Sequence, residues 1–358
     1  MGVFDKILKD NESLFVNEVV LDYDYLPKNL PYRENEQHKV ASCMKPLFQQ
    51  RNAGNAIVYG VPGIGKTASI KKILEELNEQ TDEIISVYVN CWENNTTFKI
   101  ILEICEKLGY KRTQNRNTHE LMKEIIFILN KNKTCSALVF DEIDKAEDFN
   151  FLYTLLEQVY RKSIILITNY KEDLVKMDER VKSRLVPETI EFRPYNLQET
   201  QGILKQRMDL AFAPNIFSAN AFKIIAQKTF DMKDLRKGLY LLKESANLSE
   251  SKSKRDVGEE EVNIAIDKME SFSSKNMELI EDVEKEILEL VKNNDNSKVG
   301  DLHKMYEKAF SEMGYKTFKR KLDKLEKQKF ILCSTTGGGE GGNTSVVSYI
   351  KDKKLSEY

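Results

Sequence analysis

One eight-residue segment, GVPGIGKT at residues 60–67, constrains the fold of this 358-residue chain more than any other feature. It matches the pattern G-x-x-x-x-G-K-[ST] and stands between the apolar run AIVY and ASIKKILEEL, a run with helical periodicity. Glycines in such a turn let backbone N–H groups point into a concavity that holds phosphate oxygens. The segment therefore predicts a strand, a phosphate-binding loop and a helix in succession.

Strand-like and helix-like segments alternate around this loop. The runs AIVYG, IISVYVN, SALVFDE and SIILIT are short, apolar and rich in β-branched residues, which is typical of buried parallel strands. Helical patterns such as KTASIKKILEELNEQ and THELMKEIIFILNK lie between them. The alternation predicts an α/β domain over residues 41–196, with helices on both faces of a parallel sheet.

Three other parts of the chain have different patterns. Residues 1–40 mix acidic, proline and aromatic residues without clear periodicity and predict an ordered arm. Residues 197–271 have helical periodicity alone and predict an all-helical lid domain, followed by a linker at residues 271–275. Residues 277–358 predict helices near 277–292, 298–313 and 316–327, then two strand-like runs around a glycine-rich turn. That order is typical of a winged-helix domain.

The composition limits the kinds of partner and the cellular compartment that this chain is expected to have. The chain has 55 basic and 57 acidic residues, so net charge gives no information about a nucleic-acid partner. Its five cysteines are widely spaced and lack a Cys-x-x-Cys pair, which favours reduced thiols over disulfides or a zinc site. No run approaches the roughly 18 apolar residues of a membrane span. We therefore expect a cytoplasmic protein without a membrane partner.

Two adjacent acids, Asp141 and Glu142, end the third strand-like run. They should lie at the carboxyl edge of the parallel sheet, where such folds bind ligands. Asp141 would then bind Mg²⁺ together with the Thr67 hydroxyl, and Glu142 would polarise the attacking water. Lys66 would contact the β- and γ-phosphates. These residues predict ATP binding and hydrolysis with Mg²⁺.

The next strand-like run ends in Asn169, whose amide could contact the γ-phosphate or orient the water. This combination of loop, strands and helical second domain resembles the AAA+ superfamily, in which the position of Asn169 is called sensor 1. The resemblance implies a sensor 2 arginine, Arg236 in DLRKGL, that reaches the γ-phosphate from the lid. It also implies an arginine finger in RVKSRL, where Arg184 is the better match and Arg180 the alternative.

A AAA+ core with a C-terminal winged helix resembles the archaeal origin-recognition proteins, initiators related to eukaryotic origin-recognition and helicase-loading subunits. The resemblance covers most of the chain. Leu26, Pro27 and the later LPYRE look like the family's segment near adenine, and FRPY, which ends in Tyr195, fits the start of the lid. Arg184 departs from the family, many of whose members have a small residue there. Residues 96–108 match an initiator insertion that contacts DNA, although their apolar stripe also fits a packing face.

The motif and the resemblance together predict one site for ATP or ADP with Mg²⁺. Its nucleotide-binding residues are Gly60, Val61, Pro62, Gly63, Ile64, Gly65, Lys66, Thr67, Ala68, Asp141, Leu26, Pro27 and Tyr195. Its metal ligands are Thr67 and Asp141, and its catalytic residues are Glu142, Asn169, Arg236 and Arg184.

The segment YKTFKRKLDKLEKQK, residues 315–329, has seven basic residues against two acidic ones. Phe318, Leu322 and Leu325 recur at helical spacing and would form its inner face, which leaves a basic outer face. Helix-turn-helix proteins place the recognition helix at this position. The predicted DNA contacts are Lys316, Thr317, Lys319, Arg320 and Lys324, with Gly338 and Gly339 in the wing.

The residues predict ATP binding, and the resemblance implies an ATP-dependent replication initiator with slow, switch-like hydrolysis that helps to load the replicative helicase. Its partners would be double-stranded origin DNA, other initiator subunits and the replicative helicase. Three other classes stay open: a signalling NTPase with a winged helix, a clamp-loader-type subunit and a transposon-type DNA-targeting ATPase. Signalling NTPases usually replace the sensor 2 arginine with a Gly-x-Pro element, and clamp loaders end in a helical collar.

Overall fold

The computed structural model describes residues 13–131, 134–170, 177–278, 282–295, 297–310, 312–327, 330–336 and 344–349. The chain divides into two compact units, Met1–Asn263 and Ile264–Tyr358. Within the described residues, no helix combines the length and the apolar character that crossing a membrane requires.

A parallel sheet is the centre of the first unit. Its strands are β1 (Ala56–Tyr59), β2 (Ile84–Asn90), β3 (Cys135–Asp141), β4 (Lys162–Thr168) and β5 (Glu188–Glu191). They lie in the order β2-β3-β4-β1-β5, and every neighbouring pair is parallel. The strands β3 and β4 are buried along their whole length, which explains their nearly continuous apolar sequences. The predicted parallel α/β sheet is confirmed.

Helices cover both faces of this sheet. They are α1 (Glu34–Met44), α2 (Lys66–Gln80), α3 (Thr97–Lys107), α4 (Thr118–Asn130), α5 (Asn150–Gln158) and α6 (Glu179–Leu185). Because side chains alternate along a strand, Leu138 and Phe140 pack with α3, α4 and α5, whereas Val139 packs on the opposite face with α1 and α2. The helix at residues 97–107 packs through Ile100, Ile101, Ile104 and Cys105, as a packing face does, whereas Phe98 is exposed.

The helical lid follows the sheet in the same unit. It comprises α7 (Leu197–Ala211), α8 (Ala219–Met232), α9 (Leu235–Ser251) and the first part of α10 (Glu259–Glu278). The linker predicted at residues 271–275 is wrong, because α10 continues through it. The sequence SFSSK contains neither glycine nor proline, and serine lowers helix propensity too little to end a helix.

The N-terminal arm is fastened to the lid. Val16 N donates to Ala211 O at 2.8 Å. The Lys243 ammonium of α9 pairs with Glu18 at 2.8 Å and with Asp22 at 3.1 Å. Buried Arg207 of α7 donates to Val20 O at 3.0 Å. These bonds hold the arm against α7 and α9.

The second unit contains helices and a small antiparallel sheet. Its elements after α10 are α11 (Asp282–Asn293), β6 (Ser297–Lys298), α12 (Val299–Ala309), α13 (Tyr315–Lys327), β7 (Ile331–Thr336) and β8 (Thr344–Tyr349). The strands lie in the order β6-β8-β7. Tyr306, Phe318 and Leu322 are central to its apolar core. The three helices and the final pair of strands follow in the predicted order, and β6 is a short strand that was not predicted. Gly338 and Gly339 lie outside the described residues.

Candidate functional site

The predicted phosphate-binding loop connects β1 to α2 at the carboxyl edge of the sheet. Gly60, Gly63 and Gly65 have φ angles of +149°, +77° and +87°, which L side chains rarely adopt. A Cβ at Gly60 would also lie 2.3 Å from Phe192 O. Glycine is therefore required by this backbone.

The loop forms one wall of a cavity of about 600 Å³, and the other walls come from the arm, the sheet edge and the lid. The predicted residues that line it are Leu26, Pro27, Pro62, Gly63, Gly65, Lys66, Thr67, Ala68, Asp141, Glu142, Asn169, Tyr195 and Arg236. Gly60, Val61 and Ile64 belong to the loop but lie outside this lining, and the Ile64 side chain is buried in the core beneath it.

Lys66 Nζ donates to Gly60 O at 2.5 Å, to Val61 O at 3.0 Å and to Asn169 Oδ1 at 3.0 Å. Burial lowers the pKa of this ammonium to about 8, although the charge of Asp141 acts in the opposite direction. Because these three hydrogen-bond partners are neutral oxygens, an anion in the cavity would stabilise the charge of Lys66. The contact also joins the phosphate-binding loop to the predicted sensor 1 residue.

Asp141, which is buried, accepts hydrogen bonds at both carboxylate oxygens. Its Oδ2 accepts from Thr67 Oγ1 at 2.6 Å and from the Tyr88 hydroxyl at 2.7 Å, and its Oδ1 accepts from Glu142 N at 2.8 Å. The two predicted Mg²⁺ ligands are thus in direct contact. A hydroxyl and a carboxylate are the hard oxygen donors that Mg²⁺ prefers, so these residues fit the ion.

Tyr88 was missed by the sequence reasoning. It belongs to β2, next to β3, and burial together with the charge of Asp141 raises the pKa of its hydroxyl. The sequence feature that could have identified Tyr88 is a phenolic hydroxyl near the carboxyl end of a mainly apolar strand-like run.

Glu142 follows Asp141 in a left-handed conformation, with φ 51° and ψ 44°. Such a backbone is uncommon for a residue other than glycine and concentrates at functional sites. Burial and the neighbouring charges of Asp141 and Asp144 raise the pKa of Glu142. Glu142 lies in the lining of the cavity, where a general base would be needed.

The lid meets the phosphate-binding loop at the start of α9. Leu235 N donates to Gly63 O at 3.1 Å. A Cβ at Gly63 would lie 1.8 Å from Asp234 Oδ1, so the Asp234 side chain rests directly on the glycine. The same oxygen accepts from Arg236 N at 3.0 Å and from Arg236 Nε at 3.3 Å. Asp234 thus connects the loop, the lid helix and the predicted sensor 2 arginine.

Arg33 of the arm is fully buried beside the cavity. It belongs to the LPYRE segment that was predicted near adenine, but no role in the site was predicted for it. Its Nε donates to the Tyr195 hydroxyl at 2.9 Å, and its guanidinium lies 3.9 Å from the centre of that ring. Its Nη2 donates to Ile64 O at 3.1 Å and to Arg193 O at 2.6 Å. Arg33 therefore fixes Tyr195 and the phosphate-binding loop relative to each other.

The candidate arginine fingers lie outside the lining of this cavity. Arg184 pairs with Glu157 at 2.5 Å, and its guanidinium lies 4.7 Å from the centre of the Tyr153 ring. Arg180 pairs with Asp178 at 3.1 Å. In this conformation neither arginine reaches the nucleotide site of its own chain.

The predicted recognition helix is α13. Lys316, Thr317, Lys319 and Arg320 are exposed on it, whereas Phe318, Leu322 and Leu325 are buried. Lys324 differs from the other predicted contacts, because its ammonium pairs with the buried carboxylate of Glu284 at 2.9 Å.

Comparison with known proteins gives two family matches. A family described as an AAA domain matches residues 49–174, and one described as a Cdc6 AAA+ ATPase-type lid domain matches residues 201–267. The two matched regions contain the phosphate-binding loop and the sensor 2 segment, respectively.

Individual relatives cover more of the chain. The ORC1-type DNA replication protein 1 of Sulfurisphaera tokodaii is 33% identical over 276 residues, 74% of this chain and 69% of that protein. The ORC1-type DNA replication protein 2 of Methanosarcina mazei is 28% identical over 353 residues, 95% of this chain and 94% of that protein. The fold is similar to that of the Aeropyrum pernix ORC1 protein solved in complex with DNA. That similarity has a TM-score of 0.71 at 23% identity and covers 97% of this chain and 98% of that one.

Proposed function

This chain belongs to the family of ORC1-type DNA replication proteins, which are AAA+ ATPases, and from that premise we propose the action of this initiator. It binds double-stranded DNA at replication origins in an ATP-dependent manner and helps to load the replicative helicase. One observation carries the proposal. The chain combines an assembled set of ATP-site residues with a helix, α13, whose outer face presents Lys316, Lys319 and Arg320.

Each wall of the cavity has a role in ATP binding. Leu26, Pro27 and Tyr195 would hold the adenine and ribose, while Lys66 would contact the β- and γ-phosphates. Thr67 and Asp141 would hold Mg²⁺, which supplies neutralisation of phosphate charge when bound.

Hydrolysis would rest on residues around the γ-phosphate. Glu142 would orient and deprotonate the attacking water, and Asn169, held by Lys66, would position it. Arg236 would stabilise the developing charge from the lid. Because Arg184 lies away from this cavity, we propose that it acts on the nucleotide of a neighbouring initiator subunit.

Two features of this arrangement support slow, switch-like turnover. A chain on its own lacks the charge that Arg184 would supply from a neighbour, and Arg236 is engaged by Asp234. The γ-phosphate of ATP would compete with Asp234 for Arg236, whereas ADP would leave that pair intact. The bound nucleotide would thus set the contact between α9 and the phosphate-binding loop.

Footprinting tests the DNA-binding part of the proposal. Purified full-length protein is incubated with chromosomal fragments, with ATP or with ADP, and digested with a nuclease. We expect protection confined to origin fragments and stronger with ATP. A Lys319→Ala/Arg320→Ala variant should lose protection, whereas Lys285→Ala/Lys292→Ala, which removes the same charge from exposed positions on α11, should keep it. Equal protection of all fragments would contradict the proposal.

The loading step needs a separate assay. Origin DNA on beads is incubated with the helicase, ATP and this protein, and then washed with high salt. We expect the helicase to remain bound only when the initiator and ATP are both present. Retention of the helicase without the initiator would contradict the proposed loading role, whereas the proposed origin binding would still stand.

A further inference from the structure

A carboxylate that faces α13 is completely removed from solvent. Glu284 of α11 has no exposed surface, and its Oε1 accepts from Lys321 Nζ at 3.1 Å and from Lys324 Nζ at 2.9 Å. Both lysines belong to α13. Removing a charge from water is costly unless opposite charges surround it, and two ammonium groups supply that compensation here.

The helix therefore has three distinct faces. Phe318, Leu322 and Leu325 point into the core of the unit. Lys316, Lys319 and Arg320 recur at helical spacing on the exposed face. Lys321 and Lys324, three residues apart, share the remaining flank, and the exposed fractions of their side chains are 17% and 43%. Basic residues that look alike in the sequence thus have different surroundings.

We infer that Glu284 is a positioning residue for DNA binding: it fixes the rotation of α13 and keeps Lys321 and Lys324 away from DNA phosphates. The inference rests on the proposed DNA-binding function of α13. The phosphate-contacting set then narrows to Lys316, Lys319 and Arg320. The sequence-independent attraction between a protein and DNA grows with each phosphate that the protein neutralises. Because Glu284 holds two cations, it limits this attraction.

Neighbouring contacts make this flank a rigid support. The Tyr306 hydroxyl donates to Glu286 Oε2 at 2.7 Å, so the same turn of α11 also holds α12. At the other end of α13, Cys333 N donates to Glu326 Oε1 at 3.0 Å and joins the helix to β7. A rotation of α13 would have to disturb the Glu326–Cys333 bond together with the Glu284 pairs, while the Tyr306–Glu286 bond holds α11 in place.

The test measures the affinity of the full-length protein for an origin duplex as a function of salt. The first variant replaces the whole buried group, Glu284→Met/Lys321→Met/Lys324→Met, since apolar residues of similar size can substitute for a buried ion cluster. Its matched control is Lys319→Ala/Arg320→Ala. We expect the control to lower the slope of log affinity against log salt by about 1.8, at about 0.9 per phosphate contact. We expect the triple variant to keep the wild-type slope.

A second variant, Glu284→Gln, removes the charge that holds the two lysines but leaves the lysines in place. Released cations should reach phosphates, so we expect the salt slope to steepen by up to about 1.8. The affinity ratio between origin and unrelated duplexes should fall, which a purely structural role of Glu284 would not produce.

Two results would overturn the inference. If the triple variant loses as much slope as the control, Lys321 and Lys324 contact DNA and Glu284 does not withhold them, while the proposed function stands. If the wild-type protein shows no salt-dependent binding to any duplex, the proposed DNA-binding function fails together with this inference.

Discussion

The Thr67 hydroxyl donates a 2.6 Å hydrogen bond to the Asp141 carboxylate, although 74 positions separate the two residues in the chain. Thr67 lies in the first turn of the helix that follows β1, and Asp141 ends β3, so both residues lie at the carboxyl edge of the same parallel sheet. Thr67 and Asp141 would hold Mg²⁺, which would neutralise phosphate charge when bound. The fold thus brings the two proposed metal ligands into direct contact.

Lys66→Ala should weaken ATP binding by at least about tenfold, because charge-assisted hydrogen bonds to the phosphates are lost. Titration with a fluorescent ATP analogue measures the dissociation constant. Lys72→Ala is the control, since Lys72 lies on the same helix and pairs with Glu75 at 2.7 Å. If the Lys66 variant binds ATP with unchanged affinity, Lys66 does not contribute to the nucleotide site.

Glu142→Gln should preserve ATP binding and reduce hydrolysis by about 10²–10⁴-fold, because the amide keeps the shape of the side chain but cannot accept a proton. Single-turnover hydrolysis of labelled ATP measures the rate independently of product release. The control is Glu147→Gln, a substitution of an exposed acid in the same segment. Wild-type rates in the Glu142 variant would assign the base to another group.

ATP binding should take up about one proton per site near pH 9. Burial lowers the pKa of Lys66 to about 8 in the free protein, and a bound phosphate favours its charged form. Calorimetric titrations in buffers of different ionisation enthalpy measure the uptake, which should decrease toward pH 7. Uptake that is the same at pH 7 and pH 9 would contradict the assignment.

The same pKa shift affects the stability of the free protein. The pKa of Lys66 is lower in the folded state than its ordinary value of 10.5, so the unfolded state binds more protons between pH 8 and 10.5. The unfavourable contribution of Lys66 to the free energy of unfolding should therefore diminish as the pH rises through this window. Denaturant unfolding of wild type and Lys66→Met at several pH values should show the two stabilities converging.

Gly63→Ala should disturb both stability and ATP binding, and the chain offers a closely matched control. Gly63 and Gly109 have φ angles of +77° and +72°, but an added Cβ meets Asp234 Oδ1 at 1.8 Å at Gly63 and nothing within 4 Å at Gly109. Both alanine variants should lose about 1–2 kcal/mol of unfolding free energy to backbone strain. Gly63→Ala should lose a further 1–3 kcal/mol, roughly, to overpacking. Equal losses would mean that Asp234 moves freely away from the loop.

The central strands and the phosphate-binding loop were predictable because the residues that determine each of these structures lie within its own segment. A buried parallel strand needs a continuous apolar run, and the loop needs glycines at fixed spacing. The strand β5 was missed because its sequence, ETIE, buries Ile190 alone among its four residues. An edge strand with so little buried surface leaves almost no hydrophobic signal.

The contacts of charged side chains were less predictable, because they depend on elements that are distant in sequence. The burial of Arg33 depends on Tyr195 and on the backbone of the phosphate-binding loop, neither of which lies near it in the chain. Lys319 and Lys324 look equivalent in the sequence, yet Glu284 engages Lys324 from another helix. Helical periodicity identifies the apolar face of α13 but cannot say which flank meets a buried acid.

The arm is attached at two places, through Val20 and Asp22 to the lid and through Arg33 to the loop side of the cavity. The intervening stretch, which includes Leu26 and Pro27, lines the cavity between these two attachments. An outward movement of the lid would have to extend this stretch or break one of the attachments. We therefore expect the rate of ADP release to depend on these attachments as well as on the contacts of the nucleotide itself.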